Sequence, residues 1–316
     1  MVKKFVAVVA VAACAMIGLS MRIYGVNELR EGDFVNINSE NSRAKISEKV
    51  LNDTGRISYI NAEDIRSIKT ARGDIDGDGT DDVVLALDYG PDLSVIAVYK
   101  ADDNDTYLYL GEIGPLETIT ALETKRLAAE NRDVIAIKEE STQRLGAYEY
   151  NVFVRGYLWN DDRFINIISL PETIEAYWNG LWDDNGEEIS AWKSIEHTSV
   201  ITWEGTDSPV IHTQEEHRYS ISDDTENKSV PDESTFRTVS SRNIEQDFLW
   251  NDVFRAFVIS VVEDNDSGER FGVVEDFDNS VYYPLEEYSH FLGRVRVIDT
   301  NGNLSVREKS GLTFIP

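Results

Sequence analysis

The sequence is short of the residues on which several classes of function depend. It contains one cysteine, Cys14, so the chain cannot form an internal disulfide, and the part beyond that residue has no thiol chemistry. Basic residues are also scarce, since 30 Lys and Arg stand against 58 Asp and Glu. The resulting formal charge of −28 argues against nucleic acid or an anionic lipid surface as the main partner, because both would repel the protein at long range.

Recognisable catalytic motifs are missing as well. The sequence has no G-x-S-x-G elbow, no phosphate-cradling glycine loop and no dinucleotide fingerprint. Its four histidines are His197, His212, His217 and His290. The segment HTQEEH at 212–217 resembles a zinc-protease motif, but its histidines are five residues apart where a helix needs four, and on a strand they would lie on opposite faces. We therefore assign no catalytic residue from the sequence.

The first 22 residues are predicted to be an export segment. Two lysines precede an uninterrupted run of apolar and small residues over 5–21, which is the arrangement of a signal peptide. By the positive-inside rule, the chain after Arg22 would lie outside the cytoplasm. Three outcomes stay open: cleavage after Ser20, retention as a signal anchor, and lipidation of Cys14 within a lipobox-like sequence.

Beyond this segment the sequence predicts β-strands separated by turns. The apolar runs are DDVVLAL, SVIAVYK, TYLYLGEI, DVIAIKE, YEYNVFVRGYLW, RFINIIS, SVITW, FRAFVISVV and GRVRVID. Their richness in valine, isoleucine and aromatic residues is typical of strands. A helix is predicted over 171–182, where Pro171 and Glu172 fit a first turn and apolar residues recur near helical spacing. Residues 222–234 are predicted to form a long polar loop.

Several segments of the sequence resemble one another. YLWNDDRFINIIS at 157–169 and FLWNDVFRAFVIS at 248–260 share an aromatic-Leu-Trp-Asn-Asp frame, and each is predicted to form a β-hairpin. Residues 98–113 form a looser third copy, and 65–87 aligns with 119–138 if the second copy has lost three residues. The unit would be a β-meander of about fifty to sixty residues, which is the size of a propeller blade.

An aspartate-rich loop carries the clearest chemical signal. Residues 73–82, GDIDGDGTDD, contain five aspartates in ten positions and lead directly into an apolar run. Calcium takes six to eight oxygen ligands, and carboxylates at alternate positions of a curled loop converge on one point, whereas magnesium demands octahedral geometry. Gly79 would supply the backbone angles of the bend. The predicted calcium ligands are Asp74, Asp76, Asp78, the Thr80 carbonyl and Asp82.

This loop resembles a known repeat family. In an EF-hand the twelfth position would be acidic and a helix would follow, whereas here Leu85 and a predicted strand occupy those places. Residues 73–87 instead resemble the FG-GAP or VCBS repeat, whose G-D-x-[DN]-G-D-G-x-x-D loop leads into an apolar strand. The resemblance, which extends more loosely to residue 260, implies a calcium-binding β-propeller used for adhesion or ligand binding. Only this one copy keeps a complete loop.

An aromatic cluster offers a second candidate site, for a ligand. It lies within 176–192, and its members stand among Asn and Asp side chains. Its aromatic residues are Tyr177, Trp178, Trp182 and Trp192. Such a set suits stacking on sugar rings, with polar side chains binding the hydroxyls, but the same rings equally suit a core. Both interpretations stay open.

Three shorter acidic segments contain alternating Asp or Asn residues. They are 182–188, 263–269 and 299–303. The first interpretation of each is a hairpin turn or surface loop, and the second is a further ion site.

These patterns predict a mostly β protein of tandem β-meander repeats in a propeller-like arrangement. The predicted division is 1–22 as signal or anchor, 23–64 as an N-terminal segment, 65–260 as the repeats and 261–316 as a C-terminal β region. The predicted function is an exported, calcium-stabilised module that binds an extracellular protein or glycan and contacts a membrane only through its N-terminal segment. The alternatives are an extracytoplasmic enzyme that acts on glycans, with the repeats as scaffold, and a purely structural envelope component.

Overall fold

The described part of the chain is built mainly from strands. The computed structural model describes residues 28–102, 105–143, 148–179, 191–205, 208–224 and 229–315. Strands account for 59% and helices for 14%, which confirms the predicted mostly β class. The strands form three antiparallel sheets of five, eight and five strands. No helix among the described residues is long and apolar enough to cross a membrane.

The first sheet has a layer of helices on one face. Its strands are β1 (Leu29–Arg30), β2 (Ser67–Gly73), β3 (Asp82–Asp88), β4 (Ser94–Ala101) and β5 (Thr106–Leu116), and the helices are α1 (Glu31–Val35) and α2 (Glu40–Asp53). The spatial order is β1-β5-β4-β3-β2. Four strands therefore follow one another as a meander, and β1 joins from a distant part of the sequence.

Helix α2 was missed by the sequence analysis. It begins after Ser39, whose side chain accepts a hydrogen bond from the Ser42 N–H group over 3.2 Å. Ile46, Val50 and Leu51 are fully buried against the first sheet. Most other positions of the helix are polar, so its apolar stripe is narrow and the helical pattern in the sequence is weak.

Strands β3 and β4 are buried on both faces, which explains their unbroken apolar sequences. Val83, Leu85 and Leu87 of β3 pack on the helical layer. Val84 and Ala86 of the same strand point the other way and pack on the second sheet. A strand with two buried faces has no polar face to alternate with, so an apolar run replaces the usual pattern of period two.

The second sheet is an eight-stranded meander that curls as a half-barrel. Its strands are β6 (Thr118–Leu127), β7 (Arg132–Gln143), β8 (Tyr148–Asn160), β9 (Arg163–Trp178), β10 (Lys193–Glu204), β11 (Val210–Ser222), β12 (Phe236–Asn251) and β13 (Ala256–Val258). Propeller blades contain four strands each, whereas the sheets here contain five, eight and five. The predicted blades are replaced by one continuous sheet because each strand pairs with the next and the twist of long strands accumulates into a curl.

Both predicted hairpins are present in this sheet. Strands β8 and β9 meet at a turn over 161–162, and Trp159 lies opposite Phe164. Strands β12 and β13 place Trp250 opposite Phe257. The ring centroids of these two pairs are 4.9 and 5.4 Å apart. Each tryptophan therefore packs on an aromatic residue of its partner strand.

The predicted helix over 171–182 is wrong for the described part of that segment. Residues 171–178 continue β9 and pair with β8 and β10. Ile174 and Trp178 pack in one cluster, while Tyr177 lies between them in sequence and contacts other aromatic rings. Because both faces of the strand are packed, apolar residues fall at a spacing that also suits a helix. Pro171 lies where the β8–β9 register shifts, a position that tolerates proline in a sheet.

The third sheet follows directly from the second. Its strands are β14 (Ser260–Asp264), β15 (Arg270–Asp276), β16 (Arg294–Ile298), β17 (Leu304–Glu308) and β18 (Leu312–Ile315), in the spatial order β17-β16-β15-β14-β18. The predicted strand FRAFVISVV is therefore two strands, and the chain passes from one sheet to the other at Ile259.

Short 3-10 helices occur outside the sheets, at Ala62–Asp64, Ala128–Glu130, Glu233–Thr235, Phe277–Asn279, Glu286–Phe291 and Lys309–Gly311. In the predicted polar loop 222–234, the described residues 223–224 and 229–232 lie outside helices and strands.

Candidate functional site

The predicted calcium loop joins β2 to β3. Gly73 pairs with Asp82 at the base of this hairpin. Gly77 and Gly79 have φ angles of 81° and 89°, in the left-handed region where residues with a side chain are strained. Gly79 therefore has the backbone conformation that the bend was predicted to require.

Three of the loop aspartates come together. One carboxylate oxygen from each of Asp74, Asp76 and Asp78 lies within 4.8 Å of the other two. Lys100 Nζ lies 2.5 Å from Asp76 Oδ2 and 2.7 Å from Asp78 Oδ2, and Arg126 Nη1 lies 3.4 Å from Asp74 Oδ2. The hydrogen bonds to Asp76 and Asp78 raise the pKa of Lys100 above its usual range. The lysine ammonium thus takes the position between two carboxylates that suits a bound cation.

Two oxygens of the loop are buried without a partner. Asp74 Oδ1 and Asp82 Oδ1 have no hydrogen-bond partner among the described residues. Asp82 is fully buried, and burial together with the charge of Asp76 raises its pKa to about 7. Unpaired buried carboxylate oxygens are costly unless a cation or a donor reaches them. Calcium prefers oxygen ligands, so a loop of carboxylates with two buried oxygens that lack a hydrogen-bond partner fits this ion.

Thr80 and Asp82 do not belong to the group of three. Thr80 is exposed, and its N–H group donates to Asp78 Oδ1 over 2.8 Å. Asp82 Oδ2 accepts hydrogen bonds from the N–H groups of Ile75 and Asp76, at 3.0 and 3.3 Å. The structure therefore brings three of the five predicted ligands together and places Asp82 in electrostatic contact with two of them, Asp76 and Asp78.

The loop also connects the first sheet to the second. The Asp74 N–H group donates to Asp133 Oδ2 over 3.0 Å, and the Asp133 N–H group donates to the Asp74 carbonyl over 2.7 Å. Asp133 lies near the start of β7, at the position that aligns with Asp82 in the predicted repeat. Arg126 of β6 reaches both Asp74 and Asp133. A cation in the loop would therefore stabilise the junction between two sheets.

The predicted aromatic site is not assembled as an open stacking surface in the described residues. Trp192 is 1% exposed, and Trp178 packs against a buried apolar cluster. Tyr177 is half-buried and contacts Tyr148 and Phe236, with ring centroids 5.9 and 5.6 Å apart. The fourth member of the predicted set, Trp182, lies outside the described residues.

A cavity of about 750 Å³ lies between the second and third sheets. Strands β8 to β13 form one wall, and β15 and β16 contribute to the other. Apolar and ionisable side chains both line it, including Ile168, Ile174, Phe248, Glu215, Glu275 and Arg296. A volume between about 300 and 1,000 Å³ with this mixture of lining is typical of a small-molecule site.

Three polar side chains form a buried cluster in the wall of this cavity. His197 of β10 and His217 of β11 lie opposite each other in register, with ring centroids 4.8 Å apart. Glu215, two residues before His217, accepts a hydrogen bond from His217 Nε2 over 3.0 Å. His212, the other histidine of the HTQEEH segment, lies on the exposed face beside Asp247, as their odd separation predicted.

Comparisons of the chain with protein-family models, with curated proteins and with solved structures found no match. No family is therefore shown. The FG-GAP or VCBS resemblance of residues 73–87 stays a prediction from the sequence.

The histidine–glutamate cluster was missed because it depends on strand register. The motif-like segment 212–217 contains only one of the two histidines of the cluster, His217. Strands β10 and β11 form a hairpin around residues 205–209, and that hairpin alone places His197 opposite His217. Treating 193–204 and 210–222 as paired strands would have found the cluster.

Proposed function

We propose that the protein is an exported, calcium-stabilised binding module whose ligand site is the cavity between the second and third sheets. The observation that carries this proposal is the cavity itself, which combines a volume of about 750 Å³ with an apolar wall and a small number of ionisable groups. Apolar surface in such a wall would provide affinity, and the charged groups would fix the orientation of the ligand.

Calcium has a structural role in this proposal. Asp74, Asp76 and Asp78 supply convergent oxygens, and the unpaired Oδ1 atoms of Asp74 and Asp82 give the ion further donors. The loop lies at the junction of the first and second sheets, so a bound ion would stabilise the native state without touching the cavity.

Export is the third element of the proposal. It rests on the lysine and apolar pattern of residues 1–22, which lie outside the described residues, and on a net charge of −28 that suits a cation-rich exterior. A secreted form, a signal anchor and a lipoprotein attached through Cys14 are all compatible with an extracellular protein or glycan ligand. The predicted β-meander repeats of 65–260 remain part of the hypothesis, supported by the matching positions of Trp159 and Trp250 in their hairpins.

A cavity-filling variant tests the ligand site. Anilinonaphthalene sulfonate, an anionic apolar dye, should bind the folded wild type saturably with a rise in fluorescence. Ile244→Trp introduces a large ring at a position that lines the cavity and should weaken dye binding about tenfold or more. Leu249→Trp on the same strand is a matched control, since Leu249 is 51% exposed and does not line the cavity. Non-saturable dye binding, or equal effects of the two substitutions, would overturn the proposal.

An enzyme that acts on glycans is the second candidate, and one observation favours it. Burial raises the pKa of Glu275, which lines the cavity beside Arg296 at 2.9 Å. In the same cavity, the hydrogen bond from His217 and the neighbouring histidine charges overcome the effect of burial and hold the pKa of Glu215 low. Two carboxyl groups with opposite shifts suit an acid and a base. Hydrolysis of chromogenic glycosides that Glu275→Gln abolishes would support this candidate, and no turnover by the wild type would exclude it.

A further inference from the structure

The hydrogen bonds of His197 and His217 fix which ring nitrogen of each is free to bind a ligand. His197 Nε2 lies 3.1 Å from the Pro171 carbonyl oxygen, which can only accept, so Nε2 carries the proton and Nδ1 keeps a lone pair. His217 Nε2 donates to Glu215 Oε2 over 3.0 Å, which likewise assigns the Nδ1 atom as the basic nitrogen. One imidazole is thus held by a backbone carbonyl and the other by a carboxylate.

His217 Nδ1 is buried and has no hydrogen-bond partner among the described residues. His217 is 4% exposed, so bulk water does not compensate for the missing partner. A neutral imidazole would leave a lone pair unsatisfied there, and a protonated one would leave an N–H group unsatisfied. Either state costs free energy unless a donor, an acceptor or a metal ion reaches the atom.

The charges of the cluster favour a cation. The second carboxylate oxygen of Glu215, Oε1, accepts a hydrogen bond from Thr213 Oγ1 over 3.0 Å. Arg242 donates to the backbone carbonyls of Asp278 and Ser280, so it does not neutralise Glu215 through a hydrogen bond. Glu215 therefore places a carboxylate beside the two imidazoles, where it can offset part of the charge of a bound cation.

The geometry is that of histidine ligands held by outer partners. Metal-binding histidines commonly donate their second N–H group to a carbonyl or a carboxylate, which orients the ring and makes the free nitrogen more basic. One ligand atom from each of His197, Glu215 and His217 lies within 4.8 Å of the others. Nitrogens bound to a tetrahedral zinc ion at about 2.0–2.1 Å lie about 3.4 Å apart, and the centroids of the two imidazole rings lie 4.8 Å apart.

We propose that His197 and His217 bind a divalent transition-metal ion, of which Zn²⁺ is the first to test, through their Nδ1 atoms at the wall of the cavity. Glu215 is a positioning residue that orients His217 and balances the charge of the ion. Both histidines line the cavity, so the remaining coordination positions would take water or an oxygen or nitrogen donor of a ligand there. Imidazole donors distinguish this site from the aspartate loop, whose hard oxygens suit calcium. The proposal does not depend on the function proposed above, because it stands on the cluster alone.

Titration of the wild type with Co²⁺ and Zn²⁺, in excess calcium so that the aspartate loop is saturated, tests the site. We expect one Co²⁺ ion per chain, with visible absorption bands of a low-coordinate site that Zn²⁺ abolishes on displacement. His217→Gln should weaken binding at least tenfold. His212→Gln should leave it unchanged, because His212 lies on the opposite face of the same strand. Glu215→Gln should weaken binding ten- to hundredfold without changing the shape of the cobalt spectrum, since Glu215 acts through His217.

Wild-type measurements keep the proposal testable if a variant fails to fold. Crystals of the wild type soaked in Zn²⁺ should show an anomalous scattering peak between His197 and His217. No such peak, or no stoichiometric binding by folded protein, would overturn the proposal. It would equally be overturned if His212→Gln abolished binding while His217→Gln retained it. A cobalt spectrum reshaped by Glu215→Gln would make Glu215 a ligand and contradict its positioning role.

Discussion

The aspartate-rich loop at 73–82 and the hairpin loop at 299–303 both contain aspartate and glycine, but their carboxylates have opposite surroundings. In the second loop, Asp299 Oδ1 accepts hydrogen bonds from the N–H groups of Asn301 and Asn303, both over 2.8 Å, and Oδ2 accepts from the Asn303 side chain over 2.9 Å. These bonds, led by those from Asn303, lower the pKa of Asp299. In the first loop, burial raises the pKa of Asp82 and leaves one of its oxygens unpaired.

The difference shows what separates an ion site from a turn. The Asp299 carboxylate accepts hydrogen bonds from backbone N–H groups of its own turn, as aspartates in tight turns commonly do. It therefore needs no cation to complete its hydrogen bonding. The segment at 264–269 behaves similarly, since Asp264 Oδ1 accepts from the N–H groups of Asp266 and Ser267. All of these loops contain acidic residues and glycine. Among these described turns, the first loop is the one with buried carboxylate oxygens that have no hydrogen-bond partner. Four predictions test this distinction.

The largest effect should come from removing calcium from the wild type. An ion that binds the native state at a concentration a hundredfold above its dissociation constant stabilises it by about 2.7 kcal/mol. A chelator should therefore lower the thermal midpoint by about 5–10 °C in a calorimetric scan. Identical midpoints with calcium and with chelator would mean that the first loop is a solvated turn like the others.

A smaller loss should follow from Asp76→Ala. The substitution removes a central oxygen ligand, so most of the calcium-dependent stabilisation, about 2 kcal/mol, should disappear. Asp81→Ala is a matched control, because Asp81 is an exposed aspartate of the same loop outside the group of three. Asp78→Asn should weaken calcium binding less than Asp76→Ala, since an amide oxygen still coordinates. Equal losses in the Asp76 and Asp81 variants would point to general charge rather than coordination.

Lys100→Gln should raise calcium affinity by up to about tenfold, which corresponds to about 1.4 kcal/mol. The Lys100 ammonium bonds Asp76 and Asp78 and so competes with an ion for the same oxygens. Without calcium the same substitution should destabilise the protein, because it leaves the two carboxylates without their cation. Isothermal titration measures the affinity, and scans in chelator measure the stability. Weaker calcium binding in the variant would show that Lys100 assists the ion instead of competing with it.

The smallest effect is expected for Asp299→Ala. Loss of the hydrogen bonds in an exposed turn should lower the stability only slightly, and by less than Asp76→Ala does in calcium. The loss should be the same with calcium and with chelator, because the turn is satisfied by its own backbone. Denaturant unfolding in both conditions measures it. A loss that depended on calcium would place a second ion at 299–303 and remove the contrast between the two loops.

The sequence predicted those parts of the structure that follow from local patterns. Apolar runs identified β3 and β4, and Gly79 marked the bend of the aspartate loop. The run FRAFVISVV did not reveal that it divides between two sheets at Ile259, because both halves are apolar and extended. The apolar stripe of α2 is too narrow for its sequence to predict a helix. Strand β9 packs on both faces, so its apolar residues fall at a spacing that also suits a helix.

Of the two candidate metal sites, one follows from a local sequence motif and the other depends on the fold. Asp74, Asp76 and Asp78 are close in sequence, so a local motif predicted their convergence. The pairing of His197 with His217 and the cavity behind them depend on strand register and on the packing of two sheets. Neither is encoded in one short segment, and neither could be found without the fold.

The order of strands in the three sheets also determines how the chain folds. Every strand from β6 to β13 pairs with its neighbour along the chain, so the second sheet can grow hairpin by hairpin with little entropy lost in closing loops. The first and third sheets are completed by distant partners, since Leu29 pairs with Tyr107 and Val262 pairs with Phe314. These pairings form only after the strands between them are in place. The rate-limiting steps of folding are therefore expected at the pairing of β1 with β5 and of β18 with β14.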